Sequence, residues 1–140
     1  MQSFGGVASA DSAQEKPVNL LLSGPVGGVL GAIWTSKLTD IQNVITLDIG
    51  GTSADISVLA DLKPSMKHLL DTKVGGYAAM VPMIDVGTIG AGGGSIAYID
   101  EGGFFRVGPQ SAGAVPGPAC YDRGGVEPAV SDANIILGRL

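Results

Sequence analysis

Asp48-Ile49-Gly50-Gly51-Thr52-Ser53-Ala54-Asp55 (DIGGTSAD) lies between two short apolar runs, residues 44–47 and 56–59. Both runs are rich in β-branched residues, so both read as strands. Gly50 and Gly51 admit positive φ, which lets a chain reverse tightly. The expected product is a hairpin over residues 43–60, with Gly50 or Gly51 at positive φ. Ile45, Leu47 and Ile49 would share one face, and Thr46 and Asp48 the other. The tip carries two carboxylates, two hydroxyls and bare backbone N–H groups. A nest of N–H groups attracts anions, and a carboxylate beside it can hold a metal through water. That chemistry suits a phosphate loop for a magnesium nucleotide. It is not the Walker kind, because no G-x-x-x-x-G-K-[ST] occurs in the chain. A plain Gly-Gly hairpin at a sheet edge fits the same eight residues.

Upstream lies SGPVGGVLGAIW, residues 23–34. Pro25 suits a first helical position with Gly24 as cap, which predicts a helix from Pro25 to about Leu38. Val26, Val29, Leu30 and Ile33 make one apolar stripe. Gly28, Gly31, Ala32 and Thr35 make a second stripe of small residues. An interior glycine costs a helix about 1 kcal/mol against alanine. A helix carrying several implies a neighbour that approaches closely; a poor helix or loop is the plain alternative.

Other segments read more simply. Residues 1–17 are small and polar and read as loose. Residues 18–22 and 63–70 read as strands. Residues 80–86 form an apolar run broken by Pro82. Residues 95–100 and 104–107 flank Glu101-Gly102-Gly103 as a second hairpin. Residues 108–128 form a long loop rich in Gly and Pro; such loops are usually functional or missing a partner surface. Asp132 is expected to cap a short helix, with no C-cap signal before Leu140. Gly90-Ala91-Gly92-Gly93-Gly94-Ser95 invites a dinucleotide reading but fails it, because a strand rather than a helix follows. Gly92, Gly93 and Gly94 remain candidates for backbone approach to a nucleotide or substrate, and Asp85 could reach the same place. A flexible turn with a capping Asp is the plain alternative. His68, the sole histidine, sits beside Lys67 and reads as a solvated strand residue. Cys120, with Arg123 nearby, could have a lowered thiol pKa, but a packed structural cysteine is the preferred reading.

Helix, strand, D-x-G-G-T and strand in this order resemble the second lobe of the actin/Hsp70/sugar-kinase (ribonuclease H-like) ATPase fold. The chain more closely resembles the hydantoinase A/5-oxoprolinase family, which includes acetone and acetophenone carboxylase subunits. The stretches that carry this are LLSGPVGGVLGA (21–32), VITLDIGGTSADISVL (44–59), PMIDVGTIGAGGGSIAYID (82–100), VGPQSAGAVPGPACYDRGG (107–125) and SDANIILGRL (131–140). The resemblance implies an α/β partial lobe with a mixed, hairpin-rich sheet. It divides into an N-terminal segment (1–22), an inter-lobe helix (23–40), a β-rich core (43–107) and a Gly/Pro loop with the start of a helix (108–140). It implies ATP and Mg²⁺ as cofactors. Asp48 would hold the metal through water; Gly50, Gly51, Thr52 and Ser53 would wrap phosphate, Ser53 and Asp55 also bracing the loop. Asp48, Thr52 and Asp55 are the catalytic candidates. It further implies ATP-driven opening of a hydantoin or 5-oxoproline ring, or carboxylation of a ketone. A first lobe of the same polypeptide and a hydantoinase B-type subunit or domain are the implied partners. The family tends to place a polar residue, often His, where Gly87 stands, and a small one where Asp122 stands. The first departure bears on the substrate, the second on the local form of the loop. A nucleotide-driven switch without turnover, and a ligand-free β-rich piece, are the readings from other classes.

Bulk properties agree. At 140 residues the chain allows one modest domain. A formal charge of −5 with no run of Lys or Arg argues against nucleic acid or an anionic membrane as partner. No apolar run approaches the roughly 18 residues of a membrane span. A single cysteine excludes an internal disulfide and is compatible with a cytoplasmic setting. The chain reads as a piece of a longer protein, with Met1 either internal or a start.

Overall fold

A computed structural model describes residues 1–74 and 76–140. The chain is α/β and divides into two compact units. One comprises Met1–Asp48 with Ile56–Gly87, and the other Ile49–Asp55 with Thr88–Leu140.

The first unit opens with a short helix, α1 (Ala10–Glu15), where a loose segment was expected. Ser9 caps it: its Oγ accepts from the Ser12 N–H at 3.2 Å. Ser3 is fully buried, and its N–H and hydroxyl both donate to the Asn19 carbonyl. Residues 18–22 are not a strand. A 3₁₀ turn spans Pro17–Leu20, since Pro17 presets φ for a helical turn and needs no N–H there. Helix α2 follows over Ser23–Leu38. Its cap is Leu22 in the left-handed region (φ 54°), not Gly24. Pro25 sits in the first turn, where its missing N–H has no intrahelical partner to lose. Val26 and Val29 of α2 pack with Leu59, Ile84 and Val86 to form the core, with Ala32, Ile33 and Val44 partly buried against it. Each such side chain contributes about 1.5–3 kcal/mol on burial. A Cβ on Gly28 or Gly31 would meet nothing within 4 Å, so no described residue requires glycine there.

The main sheet holds β1 (Val44–Ile49), β2 (Ala54–Ala60), β3 (Lys63–Pro64) and, further along, Gly87–Ile89. β1 and β2 form the expected hairpin. Leu59 faces Pro64, and Ala60 faces Lys63. The predicted third strand stops at Pro64, which has no N–H to extend the ladder. A single bridge, Met66 to Ile84, continues it. Two-residue strands β4 (Lys73–Val74) and β5 (Tyr77–Ala78) pair next. Residues 80–86 form no strand, yet Met83, Ile84 and Val86 are buried. Strand β6 (Gly87–Ile89) returns to pair with β2.

In the second unit, β7 (Ser95–Ile99) and β8 (Phe105–Ser111) form the second expected hairpin, with Ile99 opposite Phe105. Asp100 holds its turn: one oxygen accepts from the Gly102 and Phe104 N–H groups, and the other takes Arg106 Nε at 2.8 Å. The Arg106 hydrogen bond, helped by these amides, holds the Asp100 carboxyl below the usual carboxylate range. A 3₁₀ turn, Ala119–Tyr121, lies in the Gly/Pro loop. Helix α3 (Val130–Ile136) is capped by Ala129, and Asp132 is its third residue. Its carboxylate reaches back to the Ala129 N–H at 2.7 Å, the reciprocal half of a capping box. Contrary to expectation the helix has a defined end. Gly138 (φ 66°) donates to the Ile135 carbonyl and Arg139 to that of Asn134, a Schellman motif.

Candidate functional site: the hairpin tip and its glycine clamp

The tip between β1 and β2 is closed by the Gly50 N–H donating to the Ser53 carbonyl at 2.9 Å. Neither Gly50 nor Gly51 has positive φ, against expectation. The tip is held from outside instead. The Gly93 N–H donates to the Gly50 carbonyl at 2.9 Å, and the Gly94 N–H to the Gly51 carbonyl at 2.6 Å. The strict need for glycine therefore falls on the second loop. A Cβ on Gly92 would lie 2.7 Å from the Gly50 oxygen and 2.8 Å from the Gly51 carbonyl carbon. A Cβ on Gly94 would lie 2.9 Å from the Gly51 oxygen.

The clamp is itself anchored. The Gly93 carbonyl accepts from the Ser131 N–H at 2.8 Å, at the first turn of α3. The Gly94 carbonyl accepts from the Ala112 N–H at 2.8 Å, just past β8. Gly92, Gly93 and Gly94 were candidates for direct contact with a nucleotide. Their amides are all engaged within the chain, and their place is behind the tip.

Peptide planarity then fixes the exposed side of the tip. In a trans peptide the carbonyl of one residue and the N–H of the next point in opposite directions. With the Gly50 and Gly51 carbonyls turned onto the clamp, the N–H groups of Gly51 and Thr52 face away from it. Among the described residues nothing accepts from the N–H groups of Gly51, Thr52 or Ser53. The Thr52 and Ser53 hydroxyls make no hydrogen bond among them either, and Gly51 and Thr52 are exposed. Three consecutive free amides with two hydroxyls form a donor set for an oxyanion such as a phosphate.

The carboxylates differ. Asp55, half-buried at the start of β2, accepts from the Thr88 hydroxyl at 2.5 Å. Thr88 carries no sequence signature, and only the pairing of β6 with β2 brings it there. Asp48, near the end of β1, is exposed, and no described residue hydrogen-bonds or ion-pairs with its side chain. No cluster of three or more His, Cys, Asp or Glu side chains exists among the described residues. A lone carboxylate suits a cation that keeps most of its waters, as Mg²⁺ does, and does not suit a transition metal.

The remaining candidates lie elsewhere. Asp85 is exposed, and its main chain holds Ser57 and Ser65. His68 is exposed outside any strand, its Nδ1 accepting from the Leu70 N–H at 3.4 Å. Cys120 does not have a lowered pKa. The Asp132 carboxylate accepts its thiol hydrogen, and with partial burial this pushes the thiol up. The same bond, with N–H groups from residues 119, 120 and 129, holds Asp132 low. The loop over residues 111–127 borders a cavity of about 450 Å³ that includes Ser111, Pro116 and Glu127.

Comparison with known proteins gives the family. The family described as Hydantoinase/oxoprolinase matches residues 1–140. The chain is 47% identical to the caprolactamase subunit alpha of Pseudomonas jessenii, over 99% of its own length and 20% of that protein's. It is 43% identical to the 5-oxoprolinase of Saccharomyces cerevisiae, over all of its length and 10% of the relative's. Among solved structures, ATP-dependent caprolactamase from P. jessenii superposes with a TM-score of 0.77 at 45% identity, covering 99% of this chain and 20% of that one. Nucleotide-free acetone carboxylase gives 0.78 at 30% identity, covering 100% and 19%. The chain belongs to the hydantoinase/oxoprolinase family. It spans about a tenth to a fifth of the length of these relatives.

Proposed function

We propose that this chain is part of the second lobe of an actin/Hsp70-like ATPase domain, in an enzyme that couples ATP hydrolysis to the opening of a cyclic amide or imide. The single observation that carries this reading is the pair of unpartnered N–H groups at Gly51 and Thr52, held outward by the clamp on Gly50 and Gly51, with the unpartnered Ser53 N–H next in the chain. The relatives named as ATP-dependent support the nucleotide. The 47% identity to caprolactamase, against 37% to the acetophenone carboxylase gamma subunit, supports amide hydrolysis over carboxylation.

In this reading the tip amides and the Thr52 hydroxyl bind phosphate oxygens. Their stabilisation is preorganised because the opposite edges of the same peptides are fixed. Asp48 orients the waters of Mg²⁺, and Asp55, pinned by Thr88, braces the tip. Gly92, Gly93 and Gly94 serve the nucleotide by positioning the tip. Bound Mg-ATP would supply a phosphoryl group to the amide oxygen, which opens the amide carbon to attack by water. The small face of α2, at Gly28 and Gly31, lets another lobe of the longer polypeptide approach, while Ala32 packs against the chain's own core. A hydantoinase B-type subunit or domain completes the enzyme, in the cytoplasm. The test is turnover by the full-length protein with its partner subunit. ATP hydrolysis that depends on a lactam, imide or 5-oxoproline-type ring supports the reading. ATP hydrolysis with none of these consumed points to a nucleotide switch, and dependence on a ketone with bicarbonate to a carboxylase.

A further inference from the structure

The hexapeptide 90–95 ends in a serine whose role none of the above assigns. Ser95 is only 1% exposed. Its Oγ accepts from the Gly92 N–H at 2.9 Å, while its own N–H donates to the Gly92 carbonyl at 3.0 Å. The two bonds close residues 92–95 into a ring pinned at the start of β7. Gly92 is buried, so without Ser95 Oγ its N–H would have no acceptor and no water. The next two amides in this ring, Gly93 and Gly94, are the pair that holds the tip carbonyls.

We propose that Ser95 is a positioning residue for the phosphate loop: its buried hydroxyl sets the direction in which the Gly93 and Gly94 amides point, and through them the outward set of the tip amides. This rests on the phosphate-loop reading. Ser95 itself touches no ligand. Alanine is a poor substitute although it fits the space, because it removes the only acceptor for a buried donor. The other ties on this loop, from the Ser131 and Ala112 N–H groups, come through main chain, so no side-chain change removes them directly. Ser95 is thus the one hydroxyl among the described residues that bonds to the clamp.

The experiment compares full-length Ser95→Ala with the unsubstituted protein by amide hydrogen exchange and by steady-state kinetics. Exchange at Gly93 and Gly94 should quicken by roughly 10- to 100-fold, the size expected from orphaning one buried donor. The KM for Mg-ATP should rise about 10-fold while the KM for the organic substrate stays put. A purely structural role would lower the amount of active enzyme and leave both KM values alone. Unchanged exchange at the clamp overturns the proposal whatever the kinetics show. Faster exchange with an unchanged KM for ATP leaves the grip of Ser95 on the tip intact but removes the phosphate-loop reading beneath it, and so overturns the proposal as a statement about nucleotide. If Ser95→Ala does not fold, Ser95→Cys serves: it is nearly isosteric with a weaker acceptor. It should show the same pattern at reduced size, and an unchanged KM for ATP together with unchanged exchange counts against the proposal.

Discussion

Gly92→Ala is the sharpest perturbation of the clamp. Gly92 does not have positive φ, so alanine is allowed by the backbone and only space opposes it. The added carbon would lie 2.7 Å from the Gly50 oxygen and 2.8 Å from the Gly51 carbonyl. Ordinary contact needs about 3.4 Å, so the tip must withdraw by roughly 0.6 Å. All three close atoms are backbone, with no flexible side chain to absorb the shift. The same withdrawal stretches the 2.9 Å bond from Gly93 to the limit of a hydrogen bond. Overpacking costs about 1–3 kcal/mol and a weakened hydrogen bond about 1 kcal/mol. The local cost is therefore about 2–4 kcal/mol. A displacement of this size at a catalytic loop should lower kcat/KM for ATP by roughly 10- to 100-fold. Gly90→Ala is the internal control, since its nearest neighbour would be Pro109 Cβ at 3.9 Å. Steady-state ATP hydrolysis by the two full-length variants, at matched folded fraction, is the assay. Equal kcat/KM values would refute the clamp as the support of a phosphate loop.

Three further outcomes are expected. Asp48→Asn should keep the fold, because the side chain is exposed and unpaired, yet lose about 10²-fold or more in ATP turnover; Cys120→Ser should lose far less. Alkylation of Cys120 should be slow at neutral pH with its midpoint above that of a free thiol, and Asp132→Asn should bring the midpoint down, because the carboxylate is the main cause of the raised value. Asp132 itself has a depressed folded pKa, so its contribution is present above the ordinary carboxylate value and lost as pH falls through the folded one. Asp132→Asn should accordingly destabilise at pH 7 by about 1 kcal/mol, discounted for partial exposure, and the gap in urea midpoint should close in acid.

The sequence was most legible where periodicity and glycine punctuation agreed. Both hairpins, the span of α2 and the packing of Val26, Val29 and Ile33 followed from alternation and helical spacing. The misreadings share a physical cause. Residues 18–22 looked like a strand because three leucines and a valine hide the effect of Pro17 on the turn. Residues 63–70 looked like a strand because propensity does not register that Pro64 ends a ladder. The tip was expected to reverse by positive φ at Gly50 or Gly51, since local sequence reports local turns. It is instead held by amides some 40 residues away, and the tight glycine is Gly92. Thr88 and Ser95 were invisible for the same reason: each matters only through a partner that the fold supplies.

The most direct measurement is a structure of the full-length protein with Mg²⁺ and a non-hydrolysable ATP analogue. Phosphate oxygens should lie within about 2.7–3.2 Å of the Gly51 and Thr52 nitrogens, with Asp48 on the waters of the cation and the Gly92–Gly94 amides still bonded behind the tip. A triphosphate bound elsewhere, with those amides still facing solvent, would contradict the account.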